Sequence, residues 1–156
     1  MFYIMSEADI QFFQKRKDTF VIRINDREGS NRPLPFLAEQ ELSLCFHDIS
    51  LQAIQHSGGC LPDNWEVFSY EMAEQVHRFF QQMKQQSDYD FIIHCYAGFS
   101  RSSAIALAYS WFLNNPAMEQ FLMNQHYTPN TLVLQRMNEV MNTGKQGLVD
   151  HYSIIK

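Results

Sequence analysis

Apolar and polar positions follow two spacings along the chain, one typical of strands and one typical of helices. Short apolar or alternating segments predict four strands, over residues 2–5, 19–24, 41–47 and 89–94. Helical spacing predicts five helices, over residues 6–17, 65–86, 100–113, 118–125 and 130–141. The connection over residues 48–64, which contains Gly58 and Gly59, is predicted to be a loop long enough to suggest a functional role.

Several helix ends are predicted from local signals. Ser6 has the character of an N-terminal cap, and Pro116 stops the helix that precedes it. Gly144 ends the last predicted helix, and a mobile tail is expected after it. The chain is therefore expected to form one domain over residues 1–143, followed by a C-terminal tail over residues 144–156.

The alternation of strands with helices favours an α/β fold. Such a fold has a small, mostly parallel central sheet flanked by helices. Ligands of such sheets bind at the carboxyl ends of the strands. Asp48 and Cys95 both lie at predicted strand ends, so we expect the fold to bring them to one edge of the sheet.

Composition and charge narrow the functional classes. A chain of 156 residues with 46% hydrophobic residues suits a single core, and its net charge of −5 argues against non-specific nucleic-acid binding. No apolar run approaches the roughly 20 residues of a membrane span, so a cytoplasmic protein without membrane association is expected. Three cysteines make a disulfide framework improbable in a reducing compartment.

The most informative segment covers residues 91–103. Cys95 ends a β-branched run, five residues separate it from Arg101, and an Ala-rich stretch follows. A loop between a strand and a helix N-terminus directs backbone N–H groups and partial positive charge at an anion. Those surroundings favour the thiolate of Cys95, and Arg101 can give two parallel hydrogen bonds to an oxyanion. Gly98 allows a backbone conformation that a side chain would disfavour.

Cys95 alone would be interpreted as an inert core residue, but the surrounding pattern reverses that interpretation. The segment resembles the signature of the cysteine-dependent protein tyrosine phosphatases, which is His-Cys, five residues, Arg, then Ser or Thr. The match is complete from Ile93 to Ser102. Looser likenesses at residues 44–49 and 127–130 are similar to compact bacterial and phage members, which are close to the dual-specificity group in size.

The resemblance implies a role for each residue of this loop. Cys95 is the expected nucleophile, and Ser102 is expected to hydrogen-bond its sulfur and aid breakdown of the intermediate. His94 is expected to hold the loop rather than titrate during catalysis. The expected phosphate ligands are the backbone amides and the guanidinium of the loop: Tyr96, Ala97, Gly98, Phe99, Ser100 and Arg101.

The general acid has two candidates in the sequence. Asp48 follows the predicted strand 41–47, and in the similar compact enzymes an Asp-Ile pair stands at that position. Asp63 lies nearer to Cys95 in sequence, within a Pro-Asp dipeptide that resembles the mobile acid loop of the classical enzymes. Asp48 is the favoured candidate, since a cap of the predicted helix at 65–86 would also explain Asp63. Asn130 is a further candidate, for positioning water or substrate.

The expected function is hydrolysis of phosphotyrosine, with phosphoserine and phosphothreonine as further candidate substrates. The expected partner is a phosphorylated protein, and no metal or cofactor is needed because Arg101 and the loop amides meet the developing charge. Three alternatives stay open: a phosphoinositide or RNA 5′-end phosphatase, a rhodanese-type sulfur transferase, and an inactive phospho-binding module. Cys60 could form a protective disulfide with Cys95, although an unpaired loop thiol is the simpler interpretation.

Overall fold

The protein is represented by a computed structural model, which describes residues 1–27 and 32–154. Four parallel strands form one sheet in the order β1-β4-β2-β3. The strands are β1 (Phe2–Ser6), β2 (Thr19–Asn25), β3 (Gln40–Cys45) and β4 (Asp90–Cys95). All three strand pairs are parallel, and β4 lies between β1 and β2 after helices α2 and α3, so the predicted α/β class with a parallel sheet is confirmed.

Seven helices surround the sheet in the described residues. They are α1 (Glu7–Ile10), α2 (Leu51–His56), α3 (Tyr70–Met83), α4 (Arg101–Phe112), α5 (Pro116–Met123), α6 (Thr131–Met141) and α7 (Gln146–Ile154). Within the part of the chain described, none of them is both long and apolar enough to cross a membrane.

The two faces of the sheet are covered unequally. The larger core joins one face to the buried sides of α3, α4 and α6 through residues such as Phe91, Phe80 and Leu134. The smaller core, built around Ile10, Val21 and Ile92, lies on the opposite face. Helix α4 is buried around nearly its whole circumference, as its Ala-rich sequence predicts, and it therefore holds the end of β4 in a rigid setting.

The predicted connection over residues 48–64 is wrong in part, because it contains α2. The side chain of Ser50 accepts a hydrogen bond from the backbone N–H of Ala53 and caps that helix. The helix predicted from residue 65 begins instead at Tyr70, where Ser69 supplies the cap through Met72. Residues 65–69 have no helical structure, and the backbone of Glu66 hydrogen-bonds instead to His47, just beyond the end of β3.

The first helix and the C-terminal tail also differ from the prediction. Ser6 does cap α1, but this helix ends at Ile10 rather than near residue 17. The mobile tail predicted after Gly144 is instead helix α7 over most of its length, and its Val149 is fully buried in the larger core. Packing against α6 explains why this segment is helical: its apolar residues stabilise a helix by tertiary contacts, which Gly144 as a helix-ending signal does not predict.

Candidate active site

The thiol of Cys95 lies at the junction of β4 and α4. The strand ends at Cys95 and the helix begins at Arg101, so the loop between them leads directly into the N-terminus of α4. The residue is only 2% exposed. The backbone N–H of Gly98 donates to Sγ at 3.2 Å, and the Ser102 hydroxyl lies 3.2 Å from the same sulfur. The sulfur therefore has one backbone N–H donor and one hydroxyl group beside it.

Gly98 is required by both conformation and space. Its φ of +75° lies in the left-handed region, and the residue is buried. A Cβ at this position would lie 3.0 Å from the backbone carbon of Met5 and 3.0 Å from the nitrogen of Ser6. The backbone N–H of Glu7 also donates to the carbonyl of Tyr96 at 3.2 Å. The end of β1 therefore supports the loop from behind.

The guanidinium of Arg101 is held along one edge. Its side chain is 6% exposed, and Nη1 donates to the carbonyl of Phe46 at 2.8 Å and to the carboxylate of Asp26. Nε is buried and has no hydrogen-bond partner among the described residues. A buried donor without a partner costs free energy, so an acceptor bound to this edge of Arg101 would be stabilising.

Asp48 reaches the same site from the end of β3. Its Oδ1 accepts hydrogen bonds from the Ser100 hydroxyl and from the Asn130 amide, both at 2.7 Å. Asn130 also caps α6 by accepting from the backbone N–H of Val133 at 3.0 Å, and its own N–H donates to the carbonyl of Ser100 at 3.1 Å. The fold therefore brings together three of the predicted residues, Asp48, Ser100 and Asn130.

Asp63 occupies a different setting. It lies in an exposed turn, and in the described part of the chain no hydrogen bond or ion pair joins it to the loop. It does not cap a helix either, since no helix begins there. The neighbouring backbone instead pairs with His47, whose N–H donates to the carbonyl of Glu66 and whose Nδ1 accepts the Glu66 N–H at 3.0 Å. Trp65 stacks on the His47 ring at 5.4 Å.

His94 is buried and neutral. Burial, followed by the nearby positive charge of Arg23, lowers the pKa of His94 from 6.5 to about 4. Arg23 can only donate, so its Nε–H bond to Nε2 of His94 at 3.2 Å assigns the ring proton to Nδ1. Arg23 also pairs with Glu41 at 3.1 Å, which links three strands of the sheet beneath the loop. Nδ1 of His94 has no hydrogen-bond partner among the described residues, so the side chain bonds to Arg23 on β2 and not to the loop, and its holding role stays a prediction.

The rim of the loop is aromatic. Tyr96 is 73% exposed and Phe99 is 54% exposed, and the Phe99 ring meets Tyr127 edge-on at 6.3 Å between centroids. Ala97 is also exposed. The thiol of Cys60 lies in an exposed turn, and it is not disulfide-bonded.

Two clefts open on either side of Asp26. The larger, of about 540 Å³, is lined by polar residues that include Asn25, His47 and Asn64. The smaller, of about 350 Å³, lies between Asp26, Glu7 and Tyr96. Asp26 therefore borders open space on both sides while its carboxylate contacts Arg101.

Asp26 and Arg23 are the site residues that the sequence did not indicate. Asp26 follows β2 directly, and carboxyl ends of parallel strands are where ligand sites form. The rule that indicates Asp48 and Cys95 at the ends of β3 and β4 also indicates Asp26 at the end of β2. Arg23 had a weaker signal, a single charge within an otherwise apolar strand.

The fold resembles that of a known phosphatase. No protein-family model matches the sequence, and no curated protein matches it. A solved structure described as "Crystal structure of Tk-PTP in the active form" aligns with a TM-score of 0.51 and 15% sequence identity, over 90% of each chain. At this identity the likeness shows the fold alone. The chain therefore has a protein tyrosine phosphatase-type fold, with the Cys95–Arg101 loop at the carboxyl edge of its sheet.

Proposed function

We propose that the protein is a cysteine-dependent phosphomonoesterase that hydrolyses phosphotyrosine. Two features of the loop carry this proposal: the Cys95 sulfur accepts from the Gly98 N–H and lies beside the Ser102 hydroxyl, and the buried Nε of Arg101 has no partner among the described residues. A tetrahedral oxyanion above Cys95 would satisfy that donor together with the loop amides. The phosphatase-type fold supports the same class of reaction.

The proposed reaction has two displacement steps. In the first, the thiolate of Cys95 attacks phosphorus, the bond from phosphorus to the aryl oxygen breaks, and Asp48 gives its proton to the leaving oxygen. In the second, the Asp48 carboxylate takes a proton from water, the water oxygen attacks phosphorus, and the sulfur–phosphorus bond breaks. Ser102 stabilises the departing thiolate. Arg101 and the loop amides hold the three phosphate oxygens throughout.

Singly phosphorylated aryl substrates fit this loop best. Its variable positions, Tyr96, Ala97, Phe99 and Ser100, bring no lysine, so a multiply phosphorylated inositide or nucleic-acid end would lack additional cationic contacts. The exposed rings of Tyr96 and Phe99 offer apolar surface to an aromatic substrate. Phosphoserine and phosphothreonine are further candidate substrates, and a phosphorylated protein is the proposed partner.

The test is hydrolysis of an aryl phosphate in the presence of a chelator. The wild-type protein should hydrolyse the aryl phosphate, and vanadate should inhibit it competitively. Cys95→Ser should lower this activity by several orders of magnitude. A panel of phosphotyrosine peptides, phosphoinositides and RNA 5′-monophosphates then ranks the substrate classes. Full activity in Cys95→Ser would reject the mechanism. Binding of phosphopeptide with no turnover by the wild type would identify a phospho-binding module instead.

A further inference from the structure

We propose that Asp26 is a positioning residue of the phosphate site, which fixes the Arg101 guanidinium so that its Nε and Nη2 edge faces the oxyanion. This role depends on the function proposed above. It extends that function by adding an acidic residue whose charge strengthens, rather than weakens, binding of an anion.

The fold builds this contact from two neighbouring strand ends. Asn25 at the end of β2 pairs with Cys45 at the end of β3, and the carbonyl of Asn25 accepts the N–H of Phe46 at 2.9 Å. Asp26 follows one strand and Phe46 follows the other. The two acceptors of Arg101 Nη1, the Asp26 carboxylate and the Phe46 backbone carbonyl, therefore belong to residues that directly follow two paired strand ends.

The hydrogen-bond donors of the Arg101 guanidinium explain how the contact with Asp26 orients this side chain. Nη1 carries two N–H groups, and the Phe46 carbonyl and the Asp26 carboxylate accept them both. The opposite edge, Nε with Nη2, is the one that gives two parallel hydrogen bonds to a phosphate. The Phe46 ring lies 6.0 Å from Cζ of Arg101. Nη1 thus has two acceptors, whereas the buried Nε has none among the described residues.

A carboxylate near a phosphate also repels it, and the sign of the net effect is measurable. The Asp26 side chain is 53% exposed, so water screens its repulsion of a bound anion. Its hydrogen bond with the buried guanidinium is direct and charge-assisted. Orientation should therefore outweigh repulsion, and removing the charge should weaken oxyanion binding.

The experiment compares Asp26→Asn, Asp26→Ala and Asp26→Glu with wild type. Asp88→Asn is the matched control, because Asp88 is 84% exposed, pairs with Lys17 and precedes β4 at the opposite end of the strand from Cys95. Each full-length variant is assayed for vanadate inhibition and for kcat/KM on aryl phosphates with good and poor leaving groups. Thermal unfolding checks that each variant is folded.

Asp26→Asn and Asp26→Ala should weaken vanadate inhibition and lower kcat/KM by the same factor, roughly 10- to 100-fold, for every leaving group. Asp26→Glu should recover part of this loss. Asp88→Asn should match wild type in both measurements. If Asp26→Asn does not fold, the same comparison is made between Asp26→Glu and wild type, where a displaced carboxylate should still weaken vanadate.

Three results would overturn the positioning role. Tighter vanadate binding in Asp26→Asn would mean that the carboxylate competes with phosphate. A loss confined to poor leaving groups would make Asp26 the general acid. Unchanged kinetics in a folded, active protein would leave the residue without a role at the site. If wild-type protein neither hydrolyses aryl phosphates nor binds vanadate, it is the proposed phosphatase function that fails, and the role of Asp26 fails with it.

Discussion

The side-chain amide of Asn130 donates a hydrogen bond to Oδ1 of Asp48 at 2.7 Å, across 82 residues of sequence. The Ser100 hydroxyl donates to the same oxygen, so both contacts fix one side of the carboxyl group. In the proposed reaction, Oδ2 is therefore the oxygen that would exchange a proton with the leaving group. The contact ties the start of α6 to the candidate acid and to the loop that holds Cys95.

Asp48→Asn should reduce turnover of substrates with poor leaving groups far more than turnover of activated ones. We expect kcat for phosphotyrosine to fall at least 100-fold and kcat for a nitrophenyl phosphate to change little, because only the poor leaving group needs the proton. Asp63→Asn is the matched comparison and should stay within about twofold of wild type, as expected for an exposed turn residue. The reverse ranking would transfer the acid role to Asp63.

Asn130 should have separable effects on stability and turnover. Asn130→Ser keeps an oxygen that can cap α6, whereas Asn130→Ala does not, so the alanine variant should be less stable by about 1 kcal/mol in urea unfolding. Both variants lose the donor to Asp48 and should lower kcat similarly for poor leaving groups. Wild-type turnover in Asn130→Ser would restrict this residue to helix capping.

Ser102→Ala should slow breakdown of the cysteinyl phosphate. The lost hydroxyl faces the sulfur at 3.2 Å, so the thiolate that departs in the second step would be less stabilised. Rapid mixing with an activated aryl phosphate should show an intact burst followed by a slower steady state. Ser110→Ala is the control, since Ser110 is buried in the same helix and its hydroxyl donates to the Leu107 carbonyl within that helix. A reduced burst in Ser102→Ala, with an unchanged steady state, would contradict this role.

Gly98→Ala should abolish oxyanion binding and destabilise the fold. Its backbone strain alone costs about 1 kcal/mol, and the added methyl group would press on the backbone of Met5 and Ser6. Gly59→Ala provides the matched control, because Gly59 has φ +83° but open space around it. Thermal unfolding should therefore place Gly98→Ala below Gly59→Ala. Vanadate inhibition should be retained only in the Gly59 variant.

The burial of His94 should make stability depend on pH below neutrality. The unfolded chain takes up a proton near pH 6.5, whereas folded His94 does so only near pH 4, so the stabilisation is complete above 6.5 and is lost as pH falls toward 4. The full change is on the order of 3 kcal/mol. Urea unfolding of wild type and His94→Gln at several pH values isolates it. Parallel curves for the two proteins would show that His94 does not contribute.

The strands and the loop of Cys95 could be predicted because their signals are local. Residues 20–22 and 91–93 are short apolar runs at the centres of β2 and β4, as expected for parallel strands buried on both faces. The spacing of Cys95, Gly98 and Arg101 indicates a strand, a loop and a helix that follow one another within a few residues. Asp48 and Asn130 come together in space, as an active-site grouping requires, although their roles in the reaction stay predictions.

The segment after β3 could not be predicted in the same way. The sequence predicts a helix start at Trp65 and Glu66, but the Trp65 ring stacks on His47 and the Glu66 backbone makes two hydrogen bonds with His47 instead. Such a contact depends on the position of β3 in the finished sheet. The contact of Asp26 with Arg101 also depends on the finished sheet, since it joins residues 75 apart, although the position of Asp26 at a strand end is visible in the sequence.

The exposed turn at Gly58–Cys60 divides the candidate site into two halves. Met5, Asp26 and Asp48 precede it, whereas Cys95 and Asn130 follow it. Strand β4, which joins β1 to β2, lies in the later half. If the chain were split at this turn, each fragment would lack part of the proposed site and should be inactive. Hydrolysis of an aryl phosphate after the fragments are mixed would therefore report reassembly of the whole sheet.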